Sequence, residues 1–264
     1  MTAIVTCKGR LAHLQQSLPT LIAGGLNVVV VDYDCPDRCG DWVEANEPKA
    51  RVVRVRDRPL FNACEARNLG AALADTAWLA FLDADVCVDA AFNSAVEPLL
   101  QPDAYFLPQP RPDELWGAIV LTRADFNAIE GYDEAFEGWG AEDVDIIERL
   151  MIARRREGAF PGGLLVPIKH DNALRTRFGP MQSLTLNGQI NGFYRTVKND
   201  LLRNGRGLDI VGRRQLYADI RKAFLAPGGV RTFQVPFRDA LIPRIDVKVT
   251  LRYDLTPQPP RPEQ

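Results

Sequence analysis

Trp78-Leu79-Ala80-Phe81-Leu82-Asp83-Ala84-Asp85 decides the fold of this 264-residue chain: an apolar run passes straight into two carboxylates. A run this short and this apolar reads as a strand covered on both faces. Upstream, runs of the same kind alternate with amphipathic stretches. Ala3-Ile4-Val5-Thr6-Cys7, Val28-Val29-Val30-Val31 and Val52-Val53-Arg54-Val55 read as strands. Leu11, Leu14, Leu18, Leu21 and Ile22 recur at helical spacing, and Ala63 to Asp75 reads as another helix. Strands alternating with helices imply right-handed crossovers and a mostly parallel sheet that binds ligands beyond the carboxyl ends of its strands. Asp32, Asp34, Asp83 and Asp85 all fall at such ends. The expected class is α/β, a mostly parallel central sheet with flanking helices.

Downstream, Pro98, Pro102, Pro108, Pro110 and Pro112 cut the chain into pieces too short for long helices. Ile119-Val120-Leu121-Thr122 resumes a strand, and Val144, Ile147, Leu150 and Met151 give the next helix an apolar stripe. Residues 181–225 read as largely helical, 243–255 as strand, and Pro257 to Gln264 as a loose tail. The expected organisation is a core over residues 1–175, an extension over 176–256 packed on it within one domain, and a flexible tail over 257–264.

Composition bounds the function classes. With 46% hydrophobic and 25% charged residues the chain has the makings of one sizeable core. No stretch matches a membrane span of roughly 20 apolar residues, and the start lacks a basic-then-apolar signal; the expectation is a cytoplasmic protein. The net charge of −2 gives no reason to expect nucleic-acid binding. The charge is unevenly spread: residues 1–148 hold 11 Lys and Arg against 25 Asp and Glu, a balance of −14, and residues 149–222 hold 15 against 5, a balance of +10. An acidic half that collects metal and a basic segment after it suit a phosphate-bearing ligand between them; solvation of helix faces by the arginines is the plain alternative. The five cysteines, Cys7, Cys35, Cys39, Cys64 and Cys87, suit reduced core thiols. Cys35 and Cys39 have the spacing of a redox or zinc pair but lack a second pair, which favours an ordinary loop.

Three groups of residues bear chemistry. Residues two apart on an extended chain point the same way, so Asp83 and Asp85 can face one cation bridging a nucleotide diphosphate; read alone, two acids at a strand end are also ordinary turn formers. His170, one of only two histidines, follows an apolar run and stands where its ring can reach the same cleft, shifting preference from Mg²⁺ toward Mn²⁺. Gly138-Trp139-Gly140-Ala141-Glu142-Asp143-Val144-Asp145 places three acids on a helix start, more than capping needs. A carboxylate kept ionised there suits a base that accepts a hydroxyl proton, and Trp139 offers an apolar face to a sugar ring.

The order of these motifs resembles GT-A fold glycosyltransferases. It runs Phe61-Asn62-Ala63, Ala66-Arg67-Asn68-Leu69-Gly70, Asp83-Ala84-Asp85, Trp116-Gly117-Ala118, Gly131-Tyr132-Asp133-Glu134, the Gly138 to Asp145 motif, and His170. The nearest likeness is to the inverting β-1,4-galactosyltransferase and chondroitin-synthase-like branch, over about residues 1–175. The resemblance implies a Rossmann-like nucleotide-sugar-binding core that moves galactose or N-acetylgalactosamine from a UDP-sugar to a hydroxyl. It implies Asp143 as catalytic base and Asp85 and His170 as Mn²⁺ ligands, with Asp83 near the metal and ribose and Mg²⁺ as the alternative ion. Glu142, Asp145 and Trp139 would meet the acceptor; Arg10, Asp32, Arg67, Asp83, Trp116 and Gly117 would meet the donor.

Two departures stand out. Pro167 occupies the place of a Met metal ligand, so water or another group must fill that position. Leu115 stands where galactosyl enzymes carry a Tyr beside the donor sugar, a change expected to admit a 2-acetamido group. Glycan, lipid-linked, peptide and small-molecule acceptors stay open, and the basic segment hints at peripheral membrane association. Rival readings are a retaining enzyme similar to polypeptide N-acetylgalactosaminyltransferases, carried by Glu130 to Glu134, a nucleotidyltransferase or pyrophosphohydrolase, and a non-catalytic sugar-binding module.

Overall fold

The structure, a computed structural model, describes residues 1–171, 173–226, 230–238 and 246–254, with side chains up to residue 226. The first half winds as the apolar runs dictate: β1 (Thr2–Cys7), α1 (Leu11–Ala23), β2 (Asn27–Tyr33), α2 (Cys39–Asn46), β3 (Arg51–Val55), α3 (Ala63–Leu73) and β4 (Trp78–Phe81). Then follow β5 (Val86–Val88), α4 (Phe92–Val96), β6 (Ala104–Gln109), β7 (Ile119–Thr122), α5 (Arg123–Ala128), α6 (Glu142–Ile152), β8 (Arg156–Pro161), β9 (Leu165–Pro167) and α7 (Ala173–Thr176). The chain continues through α8 (Leu184–Arg203), α9 (Ile210–Leu225), β10 (Val230–Arg238) and β11 (Asp246–Asp254).

Seven strands form the central sheet in the order β3-β2-β1-β4-β7-β6-β8. β3, β2, β1 and β4 run parallel, β7 lies antiparallel between β4 and β6, and β8 pairs parallel with β6 at the edge. The continuous apolar runs are explained by burial on both faces: Ala3 through Val5 and Val28 through Val31 are enclosed, with α1 packed on one side of β1 and α3 on the other. Leu14, Leu18 and Leu21 supply the inner stripe of α1.

A second, two-stranded sheet joins β5 to β9, with Val86 opposite Pro167. It lies directly after the Asp83–Asp85 turn, so the pairing carries the chain segment around His170 to the end of β4. Ile168 N–H donates to the Asp85 carbonyl at 2.7 Å and closes that junction. α8 and α9 bury Ile190, Tyr194, Val197, Leu216, Tyr217 and Ile220 in the same apolar cluster as Phe81, Leu121 and Ile146.

Most expected elements are present. The strand expected over 243–255 is β11 over Asp246–Asp254, paired antiparallel with β10, an element the periodicity did not isolate. The tail expected over 257–264 lies outside the described residues.

Candidate active site

The carboxyl ends of β1 and β4, the start of α6 and the segment after β9 open onto one cleft of about 690 Å³. Arg10, Arg67, Asp83, Asp85, Trp116, Gly117, Trp139, Glu142, Asp143 and His170 all line it. Residues scattered over 160 positions meet because parallel strands end on the same edge of the sheet.

One wall is a pair of Lewis bases. His170 Nδ1–H donates to the Asp171 carbonyl at 2.9 Å, so in the neutral ring the Nε2 lone pair is the free one. That Nε2 lies 2.6 Å from Asp85 Oδ2. Two electron-rich atoms this close are bridged by a proton or a cation, and Arg10 lies against both, donating Nη1–H to Asp85 Oδ2 and standing 3.1 Å from His170 Nε2. The donor set, one carboxylate oxygen and one imidazole nitrogen at a solvent-facing point, fits a divalent cation. Arg10 therefore reaches the cation point itself.

The ring of His13, in the first turn of α1, stands edge-on to His170 with centroids 5.5 Å apart. Its Nδ1 is buried without a hydrogen-bond partner, and desolvation lowers its pKa despite the neighbouring charge of Asp85. Sequence reasoning passed over His13, because its position on the helix facing the later histidine exists only in three dimensions.

The opposite wall gathers acids around Arg67, which is only 5% exposed. Arg67 donates to Asp83 Oδ1 at 3.0 Å and to Asp143 Oδ1 at 2.7 Å, approaches Glu142 Oε1 at 3.8 Å, and packs over the Tyr132 ring at 4.9 Å. Asp83 thus faces Arg67, while Asp85 alone of the two strand-end acids faces His170. Gly117 permits this approach, since a Cβ there would stand 2.7 Å from Asp83 Oδ2. Burial raises the pKa of Asp143, and Arg67 opposes the rise. Glu142 is pushed up to about 8 by burial and by the charge of Asp143. Burial thus raises both acids, Glu142 far enough to hold its proton near neutrality, while the charge of Arg67 pulls each back down.

The Trp139 turn has an unusual backbone. Gly138, Gly140 and Ala141 have φ of +70°, +101° and +73°, and Ala141 caps α6 without a side-chain hydrogen bond. α3, α5, α8 and α9 are capped in turn by Asn62, Thr122, Ser183 and Asp209, so α6 alone among these leaves its first N–H groups uncapped by a side chain. The turn is held from outside by α8. Asn187 donates to the carbonyls of Glu137 and Trp139, and Asn191 to those of Glu137, Trp139 and Gly140, all between 2.9 and 3.2 Å. Trp139 keeps an exposed face, with the Arg175 guanidinium 5.4 Å from its ring centre. These asparagines carry a sequence signal, two amides four apart on one helix face, that is legible only once that face is known to be buried.

Three expected site residues lie elsewhere. Asp145 is fully buried, bonded to Arg149 Nε at 2.8 Å, Lys198 Nζ at 2.6 Å and Asn199 Nδ2 at 3.1 Å, so it anchors α6 to α8 rather than meeting an acceptor. The reason is helical: it sits two positions after Asp143, about 200° further around α6, on the face turned to the core. Leu115 is 2% exposed inside the main core cluster and does not line the cleft, which removes the ground for a 2-acetamido pocket there. Asp32 borders a separate hollow of about 290 Å³ with Cys35 and Arg54; it accepts from Cys35 N–H at 3.0 Å and from Gly40 N–H and Arg54 Nη1 at 3.2 Å.

Comparison with known proteins agrees with this architecture. A mannosyltransferase from Pyrobaculum calidifontis, solved with GDP-Man and Mn²⁺, superposes with a TM-score of 0.57 at 16% identity over 83% of this chain and 73% of its own. TarS 1-349 of S. aureus, solved with UDP-GlcNAc, superposes with a TM-score of 0.61 at 14% identity over 84% and 71%. No curated protein sequence matches. The family described as "N-terminal domain of galactosyltransferase" matches residues 104–171, the stretch from β6 through His170. The family described as "Glycosyl transferase family 2" matches residues 2–136, more than half of the molecule. The sheet order, the cleft at its carboxyl edge and these matches together place the chain in glycosyltransferase family 2, with a GT-A fold.

Proposed function

We propose that the protein is an inverting, divalent-metal-dependent transferase that moves galactose or N-acetylgalactosamine from a UDP-sugar to an acceptor hydroxyl. The observation that carries this reading is the division of one cleft into a cation wall, Asp85 with His170, and a base wall, Asp143 with Arg67. Asp85 and His170 would hold Mn²⁺, or Mg²⁺, and the ion supplies Lewis-acid stabilisation of the departing diphosphate. Asp83, tied to Arg67, belongs to donor positioning in this reading. Arg10 turns from the Asp85–His170 point toward phosphate when that point is filled. Pro167 provides no ligand to that point, and the ring of His13 stands edge-on to that of His170.

Asp143 accepts the acceptor hydroxyl's proton as the oxygen attacks the anomeric carbon from the side opposite UDP. Burial favours it as a base, because a carboxylate lifted toward neutrality takes a proton more readily than an exposed one. Arg67 orients that carboxylate and keeps it ionised. Glu142 holds its proton at neutral pH and is suited to donate a hydrogen bond to a sugar oxygen. Trp139 and Trp116, both partly exposed at the cleft, shield the reaction from water and stack on sugar faces. Residues 1–175 make up the catalytic core in this reading, and α8 and α9 pack on it, α8 supporting the Trp139 turn.

A donor screen reading UDP release with Mn²⁺ or Mg²⁺ against a glycan panel tests the activity, and NMR of the product anomer tests inversion. Asp143→Asn should lower turnover by about 10²–10⁴-fold while UDP binding persists. Near-normal turnover in that variant removes Asp143 as the base.

A further inference from the structure

Three cysteines at the edge of the sheet take no part in the chemistry above. Cys7 ends β1, Cys35 follows β2 and Cys39 opens α2, and the parallel pairing that sets Cys7 opposite Asp32 brings them to one point. Their sulfurs all lie within 4.8 Å of one another. The sequence shows Cys35 and Cys39 only as an incomplete pair; the fold adds the third member.

Polar donors meet these sulfurs, unlike thiols that merely pack against carbon. Gly9 N–H donates to Cys35 Sγ at 3.2 Å, Arg10 N–H faces Cys7, and the N–H of Cys39 faces Cys35. Amide donors of this kind form the outer shell that supports metal-bound sulfur. The Cys39 thiol itself points at the Cys7 carbonyl, 3.9 Å from Sγ, which keeps the three side chains on one side of the β1 end. Cys64 and Cys87 stand apart from the cluster.

We propose that Cys7, Cys35 and Cys39 form a thiolate site for a soft divalent cation of the zinc class, separate from the Asp85–His170 point. With Zn–S bonds of about 2.3 Å, tetrahedral ligands stand about 3.8 Å apart, so sulfurs already within 4.8 Å close on an ion with movements of about 1 Å or less. Cys35 borders the smaller hollow lined by Asp32, Arg54 and Arg56, which leaves a fourth position to water. Binding takes all three sulfurs as thiolates and releases to solvent the protons that the thiols held. The bound ion with three thiolates carries one net negative charge, and the hollow beside it holds Arg38, Arg54 and Arg56 along with Asp32, Asp34 and Asp41. The ion ties the loop from Lys8 to Arg10 to the loop from Asp34 to Arg38, the two connections leaving β1 and β2.

The test uses the full chain, reduced and freed of metal, titrated with Co²⁺ as an optical probe and then with Zn²⁺. The expected result is one equivalent of cobalt giving a thiolate-to-metal charge-transfer band that zinc abolishes, with affinity rising as pH rises. Cys35→Ser should remove the band and weaken zinc binding by at least about tenfold. Cys87→Ser and Asp85→Ala should keep both. Zinc should also raise the melting temperature of the wild-type and Asp85→Ala chains alike, a measurement that stands even where Cys35→Ser does not fold. A folded wild-type chain with no charge-transfer band, a band that survives in Cys35→Ser, or a zinc-induced melting shift confined to the chain with an intact Asp85 would each overturn the proposal.

Discussion

Exchanging Asn191 for an aspartate alters a single group while leaving side-chain shape nearly unchanged, so its effect isolates what the amide does. Asn191 Nδ2 donates to the carbonyls of Glu137 at 3.1 Å, Trp139 at 3.2 Å and Gly140 at 2.9 Å, and its Oδ1 accepts from the Tyr217 hydroxyl at 2.7 Å. Asn187 serves the first two carbonyls as well, but not that of Gly140. Asn191→Asp therefore strands one carbonyl, at a cost of about 1–3 kcal/mol. It also aims a buried carboxylate at three carbonyl oxygens, and an unpaired buried charge costs about 3–5 kcal/mol. Taking the charge as the larger effect, the melting temperature should fall by roughly 6–20 °C at neutral pH, at about 2–4 °C per kcal/mol. Asn191→Leu, which removes the donor without adding charge, should lose less. The Asn191→Asp chain has its own pH signature. The new carboxyl's folded pKa is raised above the unfolded value, so the destabilisation grows as pH rises past the unfolded pKa and is relieved as acid restores the proton. Because the turn carries Trp139, acceptor KM should rise more than donor KM. Calorimetry and steady-state kinetics check these outcomes; an Asn191→Asp protein melting within about 1 °C of wild type refutes the claim that α8 holds the turn.

Further expectations follow from the same cleft. Between pH 4.5 and about 8 the folded chain keeps a proton on Glu142 that the unfolded chain has released, so stability falls with rising pH across that window. Glu142→Gln should flatten that slope in urea titrations run at several pH values. His170→Ala should weaken Mn²⁺ binding by more than tenfold, about 1.4 kcal/mol or more, as read by electron paramagnetic resonance without substrate; unchanged affinity removes His170 as a ligand. Leu115→Tyr, which would restore a donor-side aromatic if Leu115 faced the cleft, should instead overpack the core and cost about 1–3 kcal/mol with no change in donor preference. A switch in donor preference without loss of stability would contradict the burial of Leu115.

The sheet was legible because its signal is local. Apolar runs at Thr2–Cys7, Asn27–Tyr33 and Trp78–Phe81 separated by amphipathic helices specify parallel crossovers through periodicity and chain chirality alone. Asp83 and Asp85 at the end of β4 marked the cleft because parallel strands open onto ligand positions at that edge, whereas Asp32 and Asp34 at the end of β2 border the smaller hollow. The residue types at Asp83, Asp85, Asp143 and His170 were likewise fixed by the chain.

Which of those acids faces which partner was a tertiary decision. Asp83 and Asp85 are near-equivalent in sequence, yet one meets Arg67 from α3 and the other meets His170, delivered by the β5–β9 pairing 85 positions away. Asp145 is chemically indistinguishable from Asp143 until α6 is packed; then rotation about the helix puts one in the cleft and the other against Arg149 and Lys198. Leu115 next to Trp116 divides in the same way between core and cleft. The sequence by itself determined five of the seven strands of the sheet, β1, β2, β3, β4 and β7, together with its ligand-binding edge and the stock of acids, imidazole and aromatics placed there. Only the packed structure decided their pairing, the support of the Trp139 turn by α8 and the meeting of three cysteines, because contacts between distant segments depend on helix rotation and strand order, which no local pattern encodes.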